Sequence, residues 1–175
     1  MNHALSPIAG ETLRAIVTYK HTHDGNAPAL GDLADILGHS KSSIWQAVRK
    51  LEAAGLLQRA PGKGRTLMVK GGHWQWAVPQ PYPDGRIGDV LRVVVTHKAA
   101  HDGNAPDHRE IAASLGVVYS GSIKVYLDEL SESKATSWPA YATDRYIAVT
   151  GGQWTCDEAW LTGQIAAGRQ MSLLD

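Results

Sequence analysis

A helix with a marked start and stop is recognisable in residues 40–57, which read SKSSIWQAVRKLEAAGLL. Serine is a preferred N-cap residue, so the helix is predicted to begin at these serines. Ile44, Val48 and Leu51 follow at positions i, i+4 and i+7, the spacing of one buried helix face. Helices commonly end at a glycine, here Gly55, and the two leucines after it are predicted to begin a short strand.

Two shorter helices are predicted before this segment, and a second strand is predicted after it. Each helix has an apolar set with helical spacing, Leu13, Ile16 and Val17 in the first and Leu33, Ile36 and Leu37 in the second. The turn cluster at residues 24–28, DGNAP, ends the first helix, and Gly38 ends the second. The basic, glycine-rich residues 58–65 join the two strands, the second of which lies in residues 66–69. The order is therefore three helices and a β-hairpin.

The chain repeats this plan. Residues 18–28, TYKHTHDGNAP, return as THKAAHDGNAP at residues 96–106, and the motif Gly-Gly-X-Trp at 71–74 returns at 151–154. The second copy has its own apolar sets, which are Leu91, Val94 and Val95; Ile111 and Leu115; Ile123, Leu127 and Leu130; and residues 146–149 for the strand. A unit of about 65 residues is longer than a solenoid repeat, so two copies of a small domain are predicted.

The predicted fold class is α+β, mainly α, with two tandem winged helix-turn-helix domains. The boundaries are residues 1–76 for domain 1, 77–87 for a linker, 88–154 for domain 2 and 155–175 for an amphipathic C-terminal tail. The linker region is rich in proline and is expected to be short and stiff, which restricts the mutual geometry of the two domains.

Residues 40–57 resemble the recognition helix and first strand of bacterial winged-helix regulators of the MarR and LexA kinds. Residues 102–116, DGNAPDHREIAASLG, are especially similar to the LexA DNA-binding domain. The resemblance implies a winged helix-turn-helix fold that binds DNA. The protease domain of LexA has no counterpart in this chain, so no protease activity is implied.

The candidate DNA-binding residues lie on the outward side of the first recognition helix and on its basic wing. They are Ser40, Lys41, Ser42, Ser43, Trp45, Gln46, Arg49 and Lys50 on the helix, and Arg59, Lys63 and Arg65 on the wing. Small residues and a cation at the helix start suit phosphate. Glutamine can bond adenine, and arginine can bond guanine or hold phosphate. Trp45 is expected to pack on sugar or a thymine methyl group, or else against the second domain. The wing residues suit the DNA backbone or the minor groove.

Charge separates the two copies. Residues 10–74 hold nine Lys or Arg and five acids, whereas residues 88–154 hold six Lys or Arg and eight acids. The second recognition helix has Asp128-Glu129 where the first has Arg49-Lys50. Domain 1 is therefore expected to be the principal DNA-binding unit. In domain 2 the remaining candidates are Tyr119, Ser120, Ser122, Lys124 and Arg145, and the alternative is a packing or dimerisation module.

Several other classes of protein are disfavoured by composition. The formal net charge is zero, which excludes a uniformly basic coat, and no apolar run reaches the ~18 residues of a membrane span. One cysteine, Cys156, permits no disulfide within the chain and fits a reducing cytoplasm. The expected location is cytoplasmic and nucleoid-associated. No enzyme motif stands out, so no catalytic residue and no cofactor are predicted. His21, His23 and Asp24 have an incomplete echo in the second copy, so a helix C-terminus is favoured over a metal site.

The C-terminal tail offers a partner-binding candidate. Residues 170–175, QMSLLD, resemble the peptide motif that binds the bacterial sliding clamp, through Gln170, Met171, Leu173 and Leu174. The alternative is an amphipathic tail that covers an apolar patch or dimerises, for which Trp160, Leu161 and Ile165 provide the apolar side chains.

The function predicted from these patterns is sequence-specific binding of double-stranded DNA, most simply by a transcriptional regulator. The two domains can act as a covalent pseudo-dimer, or a homodimer can present two copies of domain 1 to DNA. One alternative is a replication or mobile-element protein with a clamp-binding tail. Another is a phage or host-defence module that uses the fold to bind protein.

Overall fold

The computed structural model describes residues 5–138 and 145–171, and in them it has seven helices and six short strands. The first half holds α1 (Pro7–Thr22), α2 (Leu30–Leu37), α3 (Lys41–Ala53), β1 (Leu57–Gln58), β2 (Met68–Val69) and β3 (His73–Trp76). The second half holds α4 (Arg86–Ala100), α5 (His108–Ser114), α6 (Gly121–Glu132), β4 (Thr136–Ser137), β5 (Ala148–Val149) and β6 (Gly152–Thr155). The last helix is α7 (Glu158–Met171).

Local sequence explains the helices of the first half. Pro7 occupies the first turn of α1, where its missing N–H costs nothing. Gly38 ends α2 with a φ of 66°, in the left-handed region. Ser40 begins α3, and its side chain accepts a hydrogen bond from the backbone N–H of Ser43. The predicted helices and the β1–β2 hairpin are thus confirmed.

The second half repeats the order of three helices and three strands. Its second helix, α5, is better capped than α2, the equivalent helix of the first half. Asp107 accepts a hydrogen bond from the N–H of Glu110, and the Glu110 carboxylate accepts one from the N–H of Asp107, which forms a capping box. The apolar residues Ile123 and Leu127 of α6 are fully buried, as their spacing predicts.

Three two-stranded antiparallel sheets complete the fold. Within the halves, β1 pairs with β2 and β4 pairs with β5. The third sheet joins the halves, because β3 pairs with β6 and places Trp74 opposite Trp154. This third strand of each half was not predicted from the sequence, which showed only that the motif Gly-Gly-X-Trp is repeated.

The two DGNAP turns meet each other. A Cβ atom on Gly25 would lie 2.8 Å from the Cα of Gly103, and Gly25 has a φ of 76°. Both glycines are buried. Their lack of side chains is therefore what lets the two halves approach backbone to backbone. The halves are therefore joined directly at these turns and through β3 and β6, in addition to the covalent linker.

The last helix packs on the first. Leu161 and Ile165 of α7 are buried, and Ile165 approaches Gly10 of α1. This agrees with an amphipathic tail that covers an apolar patch. Gln170 and Met171 are in α7, but their side chains, like Leu173 and Leu174, lie outside the described residues. No helix in the described ranges is long and apolar enough to cross a membrane.

Candidate nucleic-acid interface

The outward face of α3 is open to solvent. Ile44, Ala47, Val48 and Leu51 are at most 1% exposed and fix the inward side of the helix. As a result the opposite side exposes Ser40, Lys41, Ser42, Trp45, Gln46, Arg49 and Lys50, while Ser43 is half-buried. The structure thus brings all the candidate residues of this helix except Ser43 to one surface. Ser43 is hydrogen-bonded to the N-cap residue, Ser40.

Trp45 and Arg49 form a pair on this surface. The guanidinium carbon of Arg49 lies 4.9 Å from the centroid of the Trp45 ring, within the range of a cation–π contact. Trp45 is 40% exposed, so a large part of its ring is open to solvent. The ring restricts Arg49 and presents a flat apolar surface beside a charged donor.

The acid of α3 is turned away from the open face. Glu52 accepts a hydrogen bond of 2.9 Å from Nε of Arg59, which belongs to the segment after β1. The pair therefore connects the helix to the wing. Arg59 is partly exposed and retains donors for another acceptor.

The wing residues Lys63 and Arg65 point to different places. Lys63 is half-exposed and its ammonium group lies 2.9 Å from the carboxylate of Glu110 in the second half. Arg65 is turned inward, where its guanidinium contacts Asp32 at 2.9 Å, the Tyr19 hydroxyl and the Ala27 carbonyl. Arg65 therefore braces the first half instead of joining Lys63 on the open surface.

Arg145 has the same inward role in the second half. It is 7% exposed and its guanidinium donates to Asp107 at 2.7 Å and to both carboxylate oxygens of Glu110. Burial alone would raise the pKa of Glu110, but hydrogen bonds from Arg145 and Lys63 outweigh it and hold that pKa at about 2. The sequence-based expectation that Arg145 contacts a DNA backbone does not fit this buried, fully engaged side chain.

The other candidates of the second half lie at the start of α6. Tyr119 is 74% exposed, and Ser120 and Ser122 are half-buried. Lys124 is exposed and donates to Asp128 at 2.8 Å, so its charge is already balanced along the helix. Wing residues 139–144 of this half lie outside the described residues.

A buried polar centre lies where the halves meet, and the sequence reasoning missed it. Lys20 of α1 is fully buried and its ammonium group lies 3.3 Å from Asp102, and Lys98 of α4 has the same relation to Asp24. Both lysines also donate to backbone carbonyls, Lys20 to Gly25 and Lys98 to Gly103 among them. One sequence signal could have revealed this centre. Lys20 has helical spacing from Leu13, Ile16 and Val17, which puts it on the buried face of α1.

The carboxylates of this centre connect the wings to the opposite half. Asp102 accepts from the N–H of Val69 in β2 and from the indole of Trp154. Asp24 accepts from the N–H of Val149 in β5 and, symmetrically, from Trp74. Each wing strand is thus held by an aspartate of the other half.

Burial shifts the proton affinities of these groups. Desolvation lowers the pKa of Lys20 to about 8 and that of Lys98 to about 8, although Asp102 and Asp24 oppose this shift. Burial also raises the pKa of Asp102, against the attraction of Lys20. The centre is therefore an ion-pair network whose charges depend on one another.

The histidines act at helix ends, as expected. Nδ1 of His23 donates to the carbonyl of Tyr19, and Nδ1 of His101 donates to the carbonyl of His97, each at 2.8 Å. Burial lowers the pKa of His97 to about 4. In the described part of the chain no group of three or more His, Cys, Asp or Glu side chains is placed to hold a metal ion.

No curated protein and no solved structure matches this chain. A family model does match the half that carries α3. Residues 6–66 match the model of the MarR family, and this match supports a winged helix-turn-helix DNA-binding domain of the MarR type in the first half of the chain.

Proposed function

We propose that this chain is a transcriptional regulator that binds double-stranded DNA with α3 in the major groove. The observation that carries the proposal is the composition of the open face of α3. Gln46, Arg49 and Lys50 are exposed together, while the acid of that helix, Glu52, is occupied by Arg59. Such a face offers donors to DNA and no free carboxylate that would repel phosphate.

Each exposed side chain of α3 has a distinct task in this proposal. Lys41 and Ser42 bind phosphate at the helix N-terminus, where the helix dipole favours an anion. Gln46 bonds the edge of an adenine. Arg49, held against Trp45, bonds guanine or an adjacent phosphate while the indole packs on sugar or a thymine methyl group.

The wing contributes backbone contacts that carry no sequence information. Arg59 and Lys63 are the wing cations with exposed donors. They follow the DNA backbone or enter the minor groove. Arg65 is left out of the proposed interface, because its guanidinium is already engaged by Asp32.

The second half is proposed to be a second winged helix-turn-helix unit of a tandem pair. Its order of elements supports this, as does the reciprocal pairing of Lys20 with Asp102 and Lys98 with Asp24. Its α6 presents Asp128-Glu129 in place of two cations, so it contributes little to base recognition. Tyr119, Ser120 and Ser122 remain its candidates for backbone contact. We therefore expect a target with one strong half-site.

Selection of bound duplexes from a random pool tests the proposal directly. The enriched motif should be non-palindromic, with its information concentrated in one half-site. The double variant Q46A/R49A should then lose preference for that motif by about 1–3 kcal/mol per bidentate contact. Titration by fluorescence anisotropy with the selected duplex and with a scrambled one measures the loss.

The matched control is Q75A/R92A, which removes an exposed glutamine and an exposed arginine from β3 and α4. It should bind both duplexes like the unaltered protein. Absence of any enriched motif, or equal loss in the two double variants, would contradict the placement of α3 in the groove. A palindromic motif would contradict the single strong half-site and would show that two copies of α3, from two copies of the chain, bind symmetric half-sites.

A further inference from the structure

Exposed apolar side chains concentrate around α6. Of the six large apolar side chains that are exposed in the described ranges, Val118, Tyr119 and Val125 lie on α6 or directly before it. Val118 is fully exposed and Tyr119 is 74% exposed. A cluster of this kind on a surface marks an interaction site more often than isolated exposed residues do.

The same helix carries an acidic stripe. Val125, Asp128, Glu129 and Glu132 follow at positions i, i+3, i+4 and i+7, which places them on one face of the helix. Asp128 is balanced by Lys124, but within the described residues no cation pairs with Glu129 or Glu132. The face is thus both apolar and negatively charged.

The complementary surface is present in the same chain. The open face of α3 exposes Lys41, Arg49 and Lys50 around the partly exposed ring of Trp45. Apolar surface would meet the indole, and Glu129 and Glu132 would meet the cations. We propose that the acidic, apolar face of α6 is a docking surface for the basic face of α3 in a second copy of this chain.

A two-fold arrangement makes this contact twice. In an isologous pair, α3 of one copy contacts α6 of its partner while α6 of the first contacts α3 of the second. Two contacts double the buried area, which matters because specific interfaces bury about 1,200–2,000 Å². Because Arg49 and Lys50 take part, the second copy competes with DNA for α3. This competition rests on the proposed function, whereas the association itself does not.

Sedimentation of the full-length protein over a concentration series tests the association. The unaltered protein should associate at low salt (about 50 mM) and dissociate in about 0.5 M salt, since screening weakens the charged contact. E129K and K50E should each lower the association constant at least about tenfold, because each sets like charges against one another in both contacts. D84K makes the same charge change as E129K on the exposed linker and should leave association unchanged.

Mixing the two charge-reversed variants, E129K and K50E, tests directly whether α3 of one copy contacts α6 of another. The wild-type α3 of E129K meets the wild-type α6 of K50E, and the two altered faces are again of opposite charge. The equimolar mixture should therefore associate like the unaltered protein, whereas E129K alone and K50E alone, each at the same total concentration, should not. Thermal unfolding of each variant confirms that these exposed helix positions leave the fold intact.

A monomer at about 100 μM in low salt would overturn the proposal, as would an E129K protein that associates like the unaltered one. DNA titrations separate this result from the proposed function. E129K should bind a selected duplex at least as tightly as the unaltered protein, because its α3 is intact and no longer masked. If DNA binding fails for every form, the sedimentation result still stands by itself.

Discussion

The ammonium group of Lys20 lies 3.3 Å from the carboxylate of Asp102, and the two residues come from opposite halves of the chain. Lys98 and Asp24 repeat this distance in the reverse direction. Four charges are therefore buried at the junction, and each one is neutralised across it. Because removal of one partner leaves a buried charge without compensation, the junction is sensitive to substitution of any of the four residues.

We expect K20M to lower the free energy of unfolding by about 3–5 kcal/mol, because Asp102 stays buried without its cation. Urea unfolding followed by circular dichroism measures the change. D102N should also destabilise, and the double variant should cost less than the sum of the two. The exposed control K41M should stay within about 0.5 kcal/mol of the unaltered protein. Additive single effects would show that the two side chains are not coupled.

Gly25 and Gly38 form a matched pair for measuring how closely the halves approach. Both have a positive φ, so alanine costs about 1–2 kcal/mol of backbone strain at either position. A methyl group at residue 25 also meets the Cα of Gly103 at 2.8 Å, whereas residue 38 has open space around it. We expect G25A to be about 1–3 kcal/mol more destabilising than G38A in thermal or urea unfolding. Equal effects would contradict the tight contact.

The Glu110 cluster should make stability depend on acid pH. The pKa of Glu110 lies at about 2 in the folded protein and near 4.5 when unfolded, so its contribution is complete above pH 4.5 and is lost as the pH falls towards 2. At neutral pH E110Q should therefore be less stable than the unaltered protein, by at most about 3 kcal/mol. The difference should shrink in urea titrations at successively lower pH. D84N, at an exposed acid of the linker, is the control and should show no such trend.

Lys63 and Arg65 are two residues apart and should give opposite phenotypes. R65A removes the contacts to Asp32, Tyr19 and Ala27 and should lower unfolding free energy by about 1–3 kcal/mol, with little effect on DNA affinity once folded. K63A removes only a half-exposed ion pair with Glu110 and should lower the unfolding free energy by at most about 1 kcal/mol. It should weaken binding to all duplexes and reduce the slope of log affinity against log salt by about one. The reverse assignment in combined unfolding and anisotropy measurements would contradict the inward position of Arg65.

Local sequence signals predicted the elements well, because each depends on neighbours in the chain. The spacing of Ile44, Val48 and Leu51 gave the inward face of α3, and Ser40 and Gly55 marked its ends correctly. The same spacing left Gln46 and Arg49 on the open side, where the structure has them. The match of residues 6–66 to the MarR family agrees with that interpretation of the first half.

Long-range partners could not be predicted in the same way. Lys20 entered only the charge count of the first copy, and Arg65 and Arg145 were predicted to contact DNA, yet all three are turned inward towards carboxylates that are distant in sequence. A lysine or arginine carries no local mark of burial, since its partner is defined only when the elements pack. The pairing of β3 with β6 was missed for the same reason, because a strand whose partner lies about 80 residues away has no hairpin signal.

Because β3 pairs with β6, the linker between the halves contributes little to holding them together. His73 to Trp76 align residue for residue with Gly152 to Thr155, and the N–H of Val78 continues the ladder to the carbonyl of Gly151. A protease cut near Asp84 should accordingly leave two fragments that elute together from a sizing column. The β3–β6 pairing then fixes the distance between the DNA contacts that the two halves make. Lengthening the proline-rich linker would not change that distance.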